Sequence, residues 1–76
     1  MTGLQYELAM RNIKIKELSK VIEKSNYYTG QKLAYNNFSV EEAKKIMDYL
    51  KIENFRYLFS TFIINKNNTT KVVDKQ

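Results

Sequence analysis

Neither cysteine nor histidine occurs in this 76-residue chain, and that double absence limits what it can fold into. A core of this size rarely nets more than ~3–5 kcal/mol, and small domains commonly make up the shortfall with disulfides or a bound metal. Without cysteine there are no disulfides. A structural zinc lacks its usual ligands, and no carboxylates cluster at ligand spacing. Economical helix packing and self-association remain. The same absence removes the commonest general base and the best thiol nucleophile. The only glycines, Gly3 and Gly30, are too few for a phosphate-cradling loop. The sequence therefore reads as a binding protein, with no catalytic residue, metal, cofactor or small-molecule substrate expected.

The apolar residues from Leu4 to Ile64 recur at helical spacing. Leu4 and Leu8, with Ala9 beside them, make a short first helix that ends near Asn12, a residue tolerant of the left-handed conformation. Ile15, Leu18, Val21 and Ile22 define a second, with Lys14, Lys16, Lys20 and Lys24 mostly on its other face. Ser25 and Asn26 are both good N-caps for a third helix from Tyr27 to about Tyr35. Its composition is poor, because Gly30 alone costs ~1 kcal/mol against alanine in a helix interior. Ser39-Val40-Glu41-Glu42 reads as a capping box preceded by the apolar Phe38. It opens a fourth helix whose face is Val40, Ala43, Met47 and Leu50, with Ile46 alongside. Asn54 can cap a fifth, in which Phe55, Leu58, Phe59 and Phe62 share a face, and Phe55, Phe59 and Phe62 are expected in the core or a dimer contact. Phe62-Ile63-Ile64 and Thr69 to Val73 are β-prone and flank the turn-like Lys66-Asn67-Asn68. They form either a hairpin, a pairing strand or a frayed tail, and Asp74-Lys75-Gln76 is expected to be disordered. One domain over residues 4–64 is expected, followed by a polar tail or short β hairpin over 65–76.

A formal charge of +5 and a pI near 9.5 favour a polyanionic partner, although net charge bears on association and not on fold. No apolar run approaches the ~20 residues that span a bilayer, so no membrane partner is expected. Met1-Thr2-Gly3-Leu4 does not begin a secretory signal, and the expected location is cytoplasmic.

The order and spacing of these elements resemble one family. Lys16-Glu17-Leu18-Ser19-Lys20-Val21-Ile22 followed by Ser25 is similar to the second helix and turn of Cro/C1-type (XRE) helix-turn-helix domains. Phe38 to Ile46 with Tyr49-Leu50-Lys51-Ile52 resembles that family's fourth helix, and Phe55 to Phe59 its fifth. The resemblance covers roughly Leu4 to Phe59. It implies an all-α, five-helix, phage-repressor-like helix-turn-helix domain with a short C-terminal extension. Two departures stand out. Ile15 replaces a phosphate-binding glutamine usual at the start of the second helix, and Glu23 or Lys24 stands where the turn usually has glycine. With Ser25 as cap, the buried positions of the third helix fall on Thr29 and Lys32. With Asn26 as cap, they fall on Gly30 and Leu33.

Two functions are implied. The first is a transcriptional regulator of the lysis–lysogeny kind, binding double-stranded operator DNA as a homodimer on two half-sites. In the family's mode the third helix enters the major groove, which puts Asn26, Tyr27 and Gln31 at base edges. Asparagine and glutamine can bond adenine bidentately, and tyrosine can lie against a thymine methyl. Alternatively, Asn26 is only a cap, and Tyr27 or Tyr28 belongs to the core. Lys16, Lys20 and Lys24, extended by Lys32, form a stripe that could track phosphates or could simply be a solvated face. The second function is an antirepressor that uses the same fold to bind a partner phage repressor. Tyr27, Tyr28 and Tyr35 would then be the contact residues, since exposed tyrosines are enriched at hot spots.

Overall fold

The computed structural model describes the backbone of residues 1–64 and 70–73 and the side chains of residues 1–60. The chain is mainly helical: α1 (Gly3–Met10), α2 (Ile15–Ile22), α3 (Asn26–Tyr35), α4 (Val40–Leu50) and α5 (Phe55–Phe59). Strands β1 (Thr61–Ile64) and β2 (Thr70–Val73) follow and pair antiparallel, with Thr61 opposite Val73 and Ile64 opposite Thr70. The expectations for Lys66-Asn67-Asn68, Thr69 and residues 74–76 fall outside the described residues.

Side-chain caps set most helix starts by satisfying backbone N–H groups that have no partner within the helix. Ser39 Oγ accepts the Glu42 N–H at 3.1 Å, and Glu42 Oε1 accepts the Ser39 N–H at 3.0 Å. Thr2 and Gln5 repeat this reciprocal arrangement at α1, and Ser25 and Asn54 cap α3 and α5. Helix α2 alone lacks a side-chain cap, since Lys14 occupies its cap position. Among the described residues, four non-glycine positions close turns at positive φ: Asn12, Glu23, Asn36 and Lys51.

Leu4, Leu8, Leu18, Ile22, Ile46, Leu50 and Leu58 form one buried cluster drawn from α1, α2, α4 and α5. Helix α3 adds Thr29, which is fully buried, and packs Tyr28 and Leu33 against the cluster's edge. Helix α5 crosses α1 so closely that a Cβ added to Gly3 would stand 2.1 Å from the Tyr57 carbonyl oxygen. The Tyr57 hydroxyl also donates to Glu7 at 2.7 Å. Burial, then the bond to Glu7 and its charge, push this phenol up to about 12.

Some expectations need correction. Val40 does not line the core face of α4 but is 70% exposed. The buried sector of that helix runs through Glu42, Ala43, Ile46 and Leu50, and Val40 lies roughly 100° around the axis from its middle. Of the two alternatives for Phe55, core or dimer contact, the core is ruled out: Phe55 is 54% exposed and packs its ring on Phe59, with centroids 4.9 Å apart, while Leu58 supplies the buried contact. Helix α5 also stops at Phe59, so Phe62 belongs to β1 and not to a helical face. Ala9 is exposed as well.

Candidate functional site

Helix α2 and helix α3 are joined by Glu23, Lys24 and Ser25. Glu23 takes the left-handed conformation, φ 61° and ψ 45°, which an L side chain adopts at a cost. The Lys24 N–H donates back to the Ser19 carbonyl at 3.0 Å, and Lys45 reaches Glu23 at 3.7 Å. Ser25 then starts α3, its Oγ accepting the Tyr28 N–H at 3.0 Å. Of the two caps open in the sequence, the chain uses Ser25.

That register puts Thr29 in the core, a position where a hydroxyl needs a partner. Thr29 Oγ1 donates to the Ser25 carbonyl at 2.8 Å, so its methyl packs inward without leaving a polar atom unpaired. Lys32 is half-buried. Its ammonium lies 5.2 Å from the centroid of the Tyr28 ring, and Lys24 lies 5.3 Å from the same ring. Such cation–π contacts let a lysine stem cover an aromatic surface while its head stays wet.

A second tie fixes α3 against α2. Ser19 is buried, and its Oγ stands 2.7 Å from both the Lys16 carbonyl and the Asn26 side-chain amide. A hydroxyl has one hydrogen, so it donates to one of these and accepts from the other; the Asn26 carboxamide turned with its NH2 toward Ser19 satisfies both. Asn26 is thereby the first residue of α3 and a clasp on α2, not the cap. The Tyr28 hydroxyl donates to Glu42 Oε2 at 2.7 Å, joining α3 to α4. The bond to Glu42, with burial and the Glu42 charge, raises the Tyr28 pKa. For Glu42, burial on its own would raise the carboxyl. Hydrogen bonds from the Ser39 backbone, Tyr28 and the Ser39 side chain, with the Lys32 charge, outweigh it and lower the pKa. On the other side of α2, the Tyr49 hydroxyl donates to Glu17, which raises the Tyr49 pKa.

With Asn26, Tyr28, Thr29 and Lys32 engaged inward or sideways, the free face of α3 is Tyr27, Gln31, Ala34 and Tyr35, all exposed. Tyr27 is 77% and Tyr35 72% exposed. Lys16 and Lys20 on α2 and Lys14 at its cap position are exposed and line a shallow groove with Glu17. No ion pair engages these three lysines among the described residues.

The structure therefore splits the sequence candidates. Tyr27, Gln31 and Tyr35 share one outward face, with Lys16 and Lys20 exposed on the neighbouring helix. Asn26, Tyr28 and Lys32 are held by Ser19, Glu42 and the Tyr28 ring respectively. Sequence reasoning missed Ser19, which carries no periodic signal between Leu18 and Lys20, and assigned Glu42 only to its cap. Comparison of the chain with protein-family models, curated proteins and solved structures finds no match.

Proposed function

We infer that the chain is a helix-turn-helix regulator of the Cro/C1 phage-repressor type, binding operator DNA with α3 as its recognition helix. The observation that carries this reading is the pairing of two surfaces. A bonded clasp holds α3 on α2, with Tyr27 and Gln31 exposed on α3 and Lys14, Lys16 and Lys20 exposed on or at the start of α2 without acidic ion-pair partners among the described residues. Lysines contribute sequence-blind attraction to phosphates, and the helix face contributes base contacts. The start of α2 has no side-chain cap, so its free N–H groups and Lys14 and Lys16 can meet a phosphate where the family's glutamine is replaced by Ile15. The regulator would act in the cytoplasm as a homodimer, one copy on each half-site.

A second reading is favoured by one feature. Tyr27 and Tyr35 expose two aromatic rings on one helix, which suits capture of a partner repressor's surface. A mobility-shift titration separates the two, using DNA flanking the protein's own gene at low and moderate salt, with and without the repressor encoded beside it. A specific shift by the protein alone is the expected result. No shift alone, combined with loss of the repressor–DNA complex, would transfer the function to the protein-binding reading.

A further inference from the structure

The outward face of α3 carries no charge in a chain that is 28% charged. Tyr27, Gln31, Ala34 and Tyr35 supply it, and the adjacent Lys32 is turned onto the Tyr28 ring. The only arginines, Arg11 and Arg56, belong to the end of α1 and to α5. Each base shows a different edge in the major groove. Guanine offers two acceptors suited to arginine or lysine, and cytosine a donor suited to a carboxylate. Adenine offers a donor beside an acceptor, which a carboxamide matches, and thymine offers a methyl group. The α3 face holds a carboxamide and apolar surface but neither a cation nor a carboxylate.

Gly30 adds an independent observation. A Cβ built there meets nothing within 4 Å, so nothing in the fold requires a glycine, although one destabilises a helix interior relative to alanine. It sits one turn from Tyr27 and Ala34, leaving bare backbone at the edge of the face.

Resting on the DNA reading above, we propose that this face reads A·T base pairs. The Gln31 carboxamide accepts from adenine N6 and donates to N7. The Tyr27 ring and the Ala34 methyl pack on thymine methyl groups, and Gly30 gives the clearance for the helix to approach.

The test is selection of the full chain against random duplexes, followed by binding titrations on the selected duplex. Variants of that duplex carry 7-deazaadenine for adenine, which deletes N7, or deoxyuridine for thymine, which deletes the methyl. The selected half-site should be A·T at its contacted core. The deaza substitution at the Gln31 contact should weaken binding roughly five- to hundred-fold, and Gln31→Ala should abolish that sensitivity. Gly30→Ala should bind more weakly while melting no lower than the parent, which separates clearance from folding. Selection of G·C at the contacted core, or unchanged affinity on both modified duplexes, would overturn the proposal and leave the DNA reading standing. Failure to bind any duplex at low salt would overturn the DNA reading, and this proposal with it.

Discussion

An added Cβ at Gly3 would stand 2.1 Å from the Tyr57 carbonyl oxygen and 2.9 Å from its carbon, both backbone atoms that move only with α5. Gly3→Ala should therefore destabilise the chain by about 1–3 kcal/mol through overpacking. At Gly30 the same change meets open space and removes the entropic cost of a helical glycine. Gly30→Ala should stabilise it by roughly 0.5–1 kcal/mol. For a domain of this size, ~1 kcal/mol moves the midpoint by about 4–8 °C, so thermal melts of the two variants should shift in opposite directions. Glu23 is a third backbone position. It holds φ 61°, and its exposed ion pair with Lys45 at 3.7 Å is of the kind that contributes little. Glu23→Gly relieves the left-handed penalty but loosens the unfolded chain, and a net gain of a few tenths to about 1 kcal/mol is expected in a denaturant titration.

Among the elements, α4 is tied to α3 through Glu42, which bonds both Ser39 and Tyr28. The Glu42 pKa is lowered on folding. A depressed carboxyl contributes stability above its unfolded value, for which 4.5 is the reference, and that contribution is lost as pH falls through the folded value. Melting midpoints should drop on acidification below about pH 4.5, and Glu42→Gln, which keeps the capping geometry, should flatten that part of the profile. The start of this helix was legible from Ser39 and Glu42 because a capping box is local chemistry at fixed spacing. The interior of α3 was not. Hydropathy marks Thr29 as a poor core residue, and only the bond to the Ser25 carbonyl shows why it is buried. Asn26 and Tyr28 were open between surface and structural roles for the same reason, since their partners Ser19 and Glu42 lie 7 and 14 residues away. Val40 misled because it stands three residues before Ala43 but falls outside the buried sector.

At the scale of the molecule, the helical content agrees with what the periodicity implied, and Tyr27, Gln31, Lys16 and Lys20 are exposed. The clasp that gives those positions meaning could not be read from the sequence. Of the charge of +5, Lys16 and Lys20 are exposed on α2 and Lys14 at its cap position, and the proposed DNA binding assigns them to phosphates. Lys20→Ala should weaken binding to all duplexes alike and lower the slope of log K against log salt by about 0.9. Titrations over a range of salt read that slope directly. The measurement closest to the central claim is an amide chemical-shift map of the 15N-labelled chain titrated with duplex DNA from beside its own gene. The account predicts perturbations concentrated at Lys16, Lys20, Tyr27, Gly30 and Gln31. Perturbations confined to α1 and α5, or none at any salt concentration, would contradict it.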